Sequence, residues 1–288
     1  MAVSATPESS TQTTVVRQSR PNADNPGGLR GLWLEKNLLT LMVVRDCIGR
    51  YKGSFLGMLW PLINPIGHLI LYTFLFGYVL KVKFGVTQST GNFALYLMAG
   101  LLPWSAFSES LSRASTVILE HPNLVKRVVF PLQILPLIPI FSAIVTESIA
   151  FALLLVAVLI SMHFIPITVL FVPLIVVAQF LLTSGICWII GSLSVFVRDI
   201  GHMMALGLSA WMYATPIVYP ASALPEPARF LLWVNPMAGI VTDYRRCLLD
   251  GMPPDWSHFA MYAMVGLILF VVGLNFFEKT QKTFADVM

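Results

Sequence analysis

Few residues of this chain have the types and spacing that bond-making chemistry requires. The five histidines, at positions 68, 121, 163, 202 and 258, form no H-E-x-x-H pair, and the three cysteines, at 47, 187 and 247, form no C-x-x-C pair. The sequence therefore predicts no metal site. A G-x-x-x-x-G-K-[ST] phosphate loop is also absent, and a chain without one cannot cradle ATP phosphates in the usual way. We expect neither catalytic residues nor a bound cofactor in this chain.

Two carboxylates lie within apolar segments, where an ionisable side chain is costly to bury and is therefore a candidate functional group. Glu109 is followed at i+4 by Arg113, and such a pair is favourable on a helix surface. Glu147 has no charged neighbour at helical spacing, which leaves two roles open: a relay for protons, or a hydrogen bond to a facing helix. We favour the hydrogen bond, because a proton pathway normally needs more than one relay group.

The composition indicates that membrane-spanning helices position these groups. Of the 288 residues, 57% are hydrophobic and 11% are charged, and the mean hydropathy is +0.78, whereas soluble domains are about 25% charged. This apolar content excludes a disordered protein, and the odd, low number of cysteines excludes a disulfide-stapled scaffold. In a membrane protein, the basic residues behind a net charge of +4 indicate orientation in the membrane before they indicate a polyanionic partner. A nucleic acid partner is therefore not expected.

Six segments are long enough to cross about 30 Å of hydrocarbon, which takes roughly 20 apolar residues as helix. The third and fourth must form a helical hairpin, because Glu147 is the only formally charged residue between positions 128 and 197. The turn of this hairpin is placed at residues 161–166, where polar residues and Pro166 interrupt the apolar run. The six predicted spans are residues 60–80, 92–111, 130–161, 164–197, 202–219 and 258–277.

The charges in the loops predict the orientation of the spans. Thirteen Lys and Arg lie in the loops on one side and five in the loops on the other, and the more basic side faces the cytoplasm. Both termini are therefore predicted to be cytoplasmic. Residues 1–29 contain eight Ser and Thr but no apolar run, so we expect a flexible tail and no secretory signal.

Residues 37–55 are predicted to form an amphipathic helix at the inner membrane face. Charged residues occupy other faces than the apolar ones, so the helix would lie in the headgroup layer with its apolar stripe buried. A simple membrane anchor is the alternative for this segment. The apolar residues recur every three or four positions, at Leu38, Leu41, Val44, Ile48, Tyr51 and Phe55.

Two further connecting segments contain signals for short helices. In the cytoplasmic loop 113–131, the residues EHPN at 120–123 can break and restart a helix, so a short helix there could dock a partner. Outside, residues 220–256 contain six prolines around two apolar stretches, 228–234 and 237–249, that are too short to span. We predict interfacial or re-entrant helices that cover the exit of a pathway.

The first span and its flanks resemble a known family. Residues 50–65, RYKGSFLGMLWPLINP, resemble the signature of the type-2 ABC exporter permeases for cell-surface polysaccharides, which export O-antigen, capsule and teichoic acid. The resemblance covers about residues 34–280, and its first block is long and specific. Shorter matches follow at NLVKR (123–127), FP (130–131), VRD (197–199), TPIVYP (215–220) and NP (235–236).

The resemblance implies an all-α polytopic protein of the bacterial inner membrane. The sequence itself divides into a flexible cytoplasmic tail (1–29), an amphipathic interface helix region (30–59) and a six-helix transmembrane domain (60–288) with an outer re-entrant segment at about 220–256. The tail departs from the family's pattern, and the resemblance assigns it no function. The interface helix would lie at about 37–57, a cytoplasmic coupling helix at about 114–126, and outer gate helices within 221–250. Two copies would enclose a channel driven by two separate ABC ATPase subunits, which would bind ATP and magnesium. The cargo would be a lipid-linked polysaccharide, with O-antigen favoured.

The resemblance also implies roles for polar and charged residues at the inner face. The contacts with the ATPase subunit would come from Glu120, Asn123, Lys126 and Arg127. A second group, Arg45, Arg50 and Lys52, could attract the pyrophosphate of the cargo. The alternative for this second group is that its charges only set the orientation of the chain in the membrane.

Aromatic side chains supply a candidate path for the cargo. Tyr72 and Phe76 share a helix face at i+4, whereas Phe74 lies on another face, and sugar rings can pack their C–H groups on aromatic faces. Ordinary membrane aromatics, which gather at the ends of spans, are the alternative. The predicted path comprises Tyr72, Phe76, Trp104, Phe107, Trp211 and Tyr213.

Two other functions remain open at this point. Related permeases export drugs or lipids, and the GSFLGMLWP block at residues 53–61 argues against that cargo without excluding it. A membrane glycosyltransferase would need a catalytic loop rich in acidic residues, and no loop of this sequence offers such a cluster.

Overall fold

The computed structural model describes residues 34–79, 90–125, 130–221 and 224–287, and within these ranges the regular structure is entirely helical. The predicted all-α class is therefore confirmed for the described residues, whereas the predicted tail, 1–29, lies outside them. Two helices, which end at Tyr72 and Arg245, continue as π-helical segments, Thr73–Val79 and Arg246–Asp250. The helices are α1 (Lys36–Tyr51), α2 (Trp60–Tyr72), α3 (Thr90–Val117), α4 (Pro122–Val125), α5 (Leu137–Met162), α6 (Val172–Phe196), α7 (Ile200–Ala214), α8 (Phe230–Val234), α9 (Pro236–Arg245), α10 (Trp256–Thr280) and α11 (Phe284–Val287).

Three helical segments in the described ranges are long and apolar enough to cross a membrane: Leu132–Met162, Ile167–Phe196 and Trp256–Thr283. The first two form the predicted hairpin. Its first helix ends at Met162, and His163 takes a left-handed backbone conformation with φ 65°, so the chain reverses where polar residues and a proline interrupt the apolar run.

The other three predicted spans correspond to helices that are shorter or less apolar. Of the predicted span 60–80, the described residues 60–79 fall on α2 and its π-helical continuation, where the apolar helix is Trp60–Phe76. Residues 92–111 lie inside α3, which also carries Glu109 and Arg113. Residues 202–219 overlap α7, which has 15 residues and ends before Pro216. The count of six spans stays a prediction.

Glycines set the distance between α6 and α10, which pack along their length. A side chain at Gly185 would collide with the backbone of Leu269, and one at Gly273 would collide with the backbone of Gly185. In a membrane, small residues let helix backbones approach closely where no hydrophobic effect drives helices together. The ring of Trp188 packs edge-on against Phe270 at the same interface, with 5.0 Å between the ring centroids.

The helix α1 is the predicted amphipathic helix, and it ends four residues before the predicted end at 55. It packs against α5 with Val43 buried, while Leu41, Val44 and Ile48 remain exposed. This exposed apolar stripe is the surface that a helix in the headgroup layer would present to lipid.

The loop 113–131, which is predicted to be cytoplasmic, contains a broken helix within its described residues. The helix α3 runs to Val117, a turn follows, and the one-turn helix α4 begins at Pro122. A ring nitrogen of His121 lies 2.9 Å from the carbonyl oxygen of Val117 and closes the end of α3. The predicted break at 120–123 is therefore confirmed, whereas a coupling helix at about 114–126 stays a prediction.

The segment 220–256, which we call the outer segment after its predicted position, contains the short helices α8 and α9 within its described residues. Met237, Ile240 and Val241 on α9 are fully buried, because α9 packs against α3, α6 and α10. This burial does not fit an interfacial helix and favours the re-entrant alternative. Whether these helices act as a gate stays a prediction.

Candidate functional site

Four charged side chains join α1 to α3 and form what we call the inner charge cluster: Asp46, Arg50, Glu109 and Arg113. Asp46 accepts hydrogen bonds from Arg50 Nε (3.1 Å) and from Arg113, whose Nη1 lies at 2.8 Å. Arg50 also pairs with the Glu109 carboxylate on α3. The predicted pairing of Glu109 with Arg113 on the same helix is wrong, because each of these two side chains reaches across to α1 instead.

The inner charge cluster lowers the pKa of its central acid, Asp46. Burial alone would raise the pKa of the Asp46 carboxyl, but the hydrogen bond and charge of Arg113, with the charge of Arg50, outweigh it and lower the pKa to about 2. Opposite charges within a few ångströms favour the ionised form of a carboxyl. Asp46 therefore remains an anion throughout the physiological range.

The structure separates the three predicted pyrophosphate-binding cations. Arg45 and Lys52 are exposed, whereas Arg50 is engaged with two carboxylates in the inner charge cluster. Of the predicted ATPase contacts, Glu120 and Asn123 are exposed near α4, and Lys126 and Arg127 lie outside the described residues. The roles of all seven residues stay predictions.

A polar cavity of about 290 Å³ lies between α2, α3 and α5. The helix α2 lines it with Asn64, His68 and Tyr72, and α3 and α5 each contribute a carboxylate, Glu109 and Glu147. This volume is at the small end of the range for ligand sites. One cargo-path candidate, Tyr72, therefore lines the same cavity as both of these carboxylates.

Glu147 is a buried residue, 8% exposed, and its carboxylate bonds to a distant helix. The hydroxyl of Tyr244 on α9 donates to Glu147 Oε1 at 2.8 Å, so the predicted hydrogen bond to a facing helix is confirmed. A polar group in hydrocarbon is stabilised by such an interhelical bond. Glu147 thus ties α5 to the outer segment.

The aromatic residues of α2 and its continuation show the predicted difference between faces. Tyr72 and Phe76 lie in contact, with 6.4 Å between ring centroids, and Phe76 packs edge-on against Phe93 of α3 at 4.8 Å. Phe74 is 60% exposed. The rings at 72 and 76 therefore face the protein, and the ring at 74 faces outward.

The remaining path candidates form a second aromatic group. Trp104 and Phe107 are buried on α3, and Phe107 packs edge-on against Trp211 of α7, with 5.1 Å between centroids. Tyr213 is exposed. No ring contact among the described residues joins this group to Tyr72 and Phe76, so the structure does not bring all six candidates together.

Sequence reasoning missed the role of Arg245, which it counted only as a charge in an outer loop. The side chain is 5% exposed and donates to three carbonyl oxygens: Tyr96 (3.1 Å), Pro216 (2.6 Å) and Ile217 (2.6 Å). Its guanidinium carbon also lies 3.6 Å from the centroid of the Tyr96 ring, a cation–π geometry. The absence of a side chain at Gly100 provides the space for the guanidinium, since a Cβ there would lie 3.1 Å from the guanidinium carbon. No local signal in the sequence marks these contacts, because the acceptor carbonyls lie 149, 29 and 28 residues away from Arg245 along the chain.

The side chain of Asn235 joins two of the short motifs that resemble the exporter family, TPIVYP (215–220) and NP (235–236). Its Oδ1 caps α9 by accepting from the N–H of Met237 (3.0 Å) and also accepts from Nε1 of Trp211 (2.9 Å). Its Nδ2 donates to Oγ1 of Thr215 (2.8 Å). The motifs at 215–220 and 235–236 therefore form one hydrogen-bonded unit at the C-terminal end of α7.

Comparison with known proteins gives a consistent result over most of the chain. The family described as ABC-2 type transporter matches residues 37–249. The O-antigen export system permease protein RfbA of Myxococcus xanthus is 31% identical over 260 residues, which cover 90% of this chain and 98% of the relative. An RfbA of Klebsiella pneumoniae is 28% identical over 257 residues, covering 88% and 95%. The polysialic acid transport protein KpsM of Escherichia coli is 21% identical over 254 residues, covering 88% and 96%.

The matched region includes every site described above. It begins within α1 and ends in the π-helical segment after α9, so it contains the inner charge cluster, the polar cavity and the Arg245 contacts. The relatives are covered almost from end to end, so the likeness does not depend on one motif. This chain belongs to the ABC-2 type transporter family.

Proposed function

We propose that this chain is the membrane subunit of an ABC exporter that moves a lipid-linked polysaccharide, O-antigen, outward across the bacterial inner membrane. The observation that carries the proposal is the similarity to O-antigen export permeases, at 28–31% identity along nearly the whole length of each relative. In this proposal the chain crosses the membrane six times, with both termini in the cytoplasm.

The proposed machine contains two copies of this chain and two ATPase subunits. The absence of a phosphate loop supports a motor on a separate polypeptide. The exposed residues Glu120 and Asn123 follow the end of α3, and the inner charge cluster ties α3 to α1. A push from an ATPase on α4 would therefore move α1 and α3 together, which is the rigid-body kind of switching.

The proposed cargo path starts with the rings of Tyr72 and Phe76, which face the protein interior. Trp104 and Phe107 are buried, and Phe107 packs against Trp211, so they join the path only in a conformation in which α3 and α7 separate. Arg45 and Lys52, which are exposed at the inner end, are the cations best placed to meet a pyrophosphate.

A second candidate cargo is a capsular polysaccharide. The observation that favours it is the similarity to the polysialic acid transport protein KpsM, which is weaker, at 21% identity, but covers 96% of that relative. Teichoic acid, drug and lipid cargoes belong to the same wider class and have no such observation in their favour.

Gene deletion in the native host tests the cargo. Cells without this chain should lose surface O-antigen, seen on gels of extracted lipopolysaccharide, and should accumulate lipid-linked polymer inside. Re-expression should restore the surface polymer. Normal surface O-antigen in the deletion strain would refute the proposal, and loss of capsule alone would favour the second candidate.

ATPase assays test the division of labour between subunits. The purified chain alone should hydrolyse no ATP, and the complex with its ATPase subunit should. Glu120→Ala should weaken association with that subunit, whereas Glu226→Ala, which changes an exposed acid in the outer segment, should not. Hydrolysis by the isolated chain, or equal effects of the two substitutions, would contradict the model.

A further inference from the structure

A small cavity lies where α3, α5 and α6 meet. Its volume is about 10 Å³, which is about the space that one buried water molecule needs. None of the cargo-path candidates lines it. Its four polar side chains belong to residues that are more than nine-tenths buried: Ser110 on α3, Glu147 on α5, and Gln179 and Thr183 on α6.

The amide of Gln179 has one paired and one unpaired polar atom. Its Nε2 donates to the carbonyl oxygen of Pro103 on α3 at 2.8 Å. Its Oε1 is buried and accepts no hydrogen bond from the described residues. A buried acceptor without a partner is costly, and in native proteins an ordered water commonly satisfies such a group. The unpaired oxygen therefore indicates a ligand that donates hydrogen bonds.

The other polar groups of the cavity restrict the ligand further. The hydroxyls of Ser110 and Thr183 each donate to a backbone carbonyl of their own helix, at 2.6 and 2.7 Å, so only their lone pairs remain. Tyr244 occupies one oxygen of the Glu147 carboxylate, and the second oxygen is an acceptor as well. A buried water makes about three hydrogen bonds, whereas a hard cation takes about six oxygen ligands. The number of acceptors and the volume both fit water.

We infer that this cavity binds one structural water molecule, which donates hydrogen bonds to Gln179 Oε1 and to the second carboxylate oxygen of Glu147. The charged oxygen is the strongest of the remaining acceptors. With the water bound, one chain of hydrogen bonds runs from the Pro103 carbonyl through Gln179, the water and Glu147 to Tyr244. This chain links α3, α6, α5 and α9, and it does not depend on what the exporter carries.

X-ray radiolysis of the full-length chain in detergent detects water inside the helix bundle, because hydroxyl radicals formed from a bound water oxidise the side chains beside it. Phe180 lines the cavity and should be hydroxylated, as read by mass spectrometry. Phe270 has the same ring but packs against Trp188 at the interface between α6 and α10, and it should stay unlabelled. If Phe180 is labelled no more than Phe270, the cavity holds no water and the inference is refuted.

Two variants and a matched control locate the water. Gln179→Met puts an apolar group in place of the amide and should reduce the labelling of Phe180 to that of Phe270. Ala106→Val adds volume at the wall of the cavity and should do the same without changing a polar group. Gln133→Met makes the first change at another buried glutamine, which does not line the cavity, and should leave the labelling of Phe180 unchanged. Labelling that survives both cavity variants would mean that water reaches Phe180 by another route, and the inference would be wrong.

A cryo-EM map of the wild-type protein, at a resolution where ordered waters are visible, tests the site without any variant. Density for one water should lie about 2.8 Å from Gln179 Oε1, and an empty cavity in that map would contradict the inference. Phe180 should be labelled equally in sodium chloride and in choline chloride. Protection by sodium would identify a cation site instead. Each of these outcomes is independent of O-antigen export, so this inference and the proposed function fail separately.

Discussion

The substitution Asp46→Asn tests the inner charge cluster most directly. Asparagine keeps the shape of the side chain and removes the charge that Arg50 and Arg113 share. The pKa of Asp46 falls from 3.8 to about 2, and a shift of this size corresponds to about 2.4 kcal/mol in favour of the ionised folded state. Solvent reaches the cluster and screens it, so we expect Asp46→Asn to cost about 1 to 2 kcal/mol at neutral pH.

The sign of the pKa shift fixes the pH dependence of this loss. Folding lowers the pKa of Asp46, so its contribution is complete above the unfolded value of 3.8 and is lost as the pH falls through about 2. The difference in stability between wild type and Asp46→Asn should therefore be constant from pH 7 to pH 5 and should shrink below pH 4.

Thermal unfolding in detergent, followed by tryptophan fluorescence, measures this difference. Asp199→Asn makes the same chemical change at an exposed position and should leave stability unchanged. Combining Asp46→Asn with Arg113→Met should give less than the sum of the two single effects, because the residues are in contact. If Asp46→Asn unfolds like wild type at pH 7, apolar contacts such as those of Val43 hold α1 without the cluster.

Three other predictions concern helix packing, the cargo path and the orientation. Gly273→Ala should destabilise the protein, because overpacking costs about 1 to 3 kcal/mol against a gain of about 1 kcal/mol in helix propensity. Gly207→Ala should not destabilise the protein, because its Cβ would meet no atom within 4 Å. If the two variants unfold at the same denaturant concentration, the packing argument is contradicted. Tyr72→Ala should leave polymer inside the cell with the ATPase still bound, whereas Phe74→Ala should export normally; identical export by both would remove the rings of α2 from the path. A membrane-impermeant thiol reagent should label Arg229→Cys in intact cells and Arg45→Cys only after permeabilisation, and the reverse pattern would invert the topology.

The sequence was sufficient where the signal is local along one helix. Apolar length and the interruption at 161–166 predict the α5–α6 hairpin, and the three- to four-residue spacing predicts α1, because both depend on neighbours within a few turns. The different environments of Phe74 and Phe76 follow from helical periodicity for the same reason.

Contacts between distant helices could not be predicted in this way. Glu109 has a plausible partner four residues away, yet Arg50 on α1 takes that place only once α1 docks on α3. Cys247 belongs to a segment that the sequence places in an outer loop, but the π-helical continuation of α9 buries it completely. The residue types of Trp104 and Phe107 fit a cargo path and an ordinary membrane surface equally well, so the sequence does not predict their burial. Their burial depends on where α7 packs.

The contact between Gly100 and Arg245 constrains the order in which positions 100 and 245 can be substituted during evolution. A Cβ at position 100 would lie 3.1 Å from the guanidinium carbon and 3.3 Å from Val241, so a larger residue there and the buried arginine exclude each other. Replacing the glycine first would displace a buried cation from its carbonyls, which is strongly destabilising, whereas losing the arginine first leaves Pro216 and Ile217 with unpaired acceptors, a milder defect. Lineages that carry a side chain at position 100 should therefore also lack the arginine and should have a rebuilt end of α7, so that these distant positions are inherited as one unit.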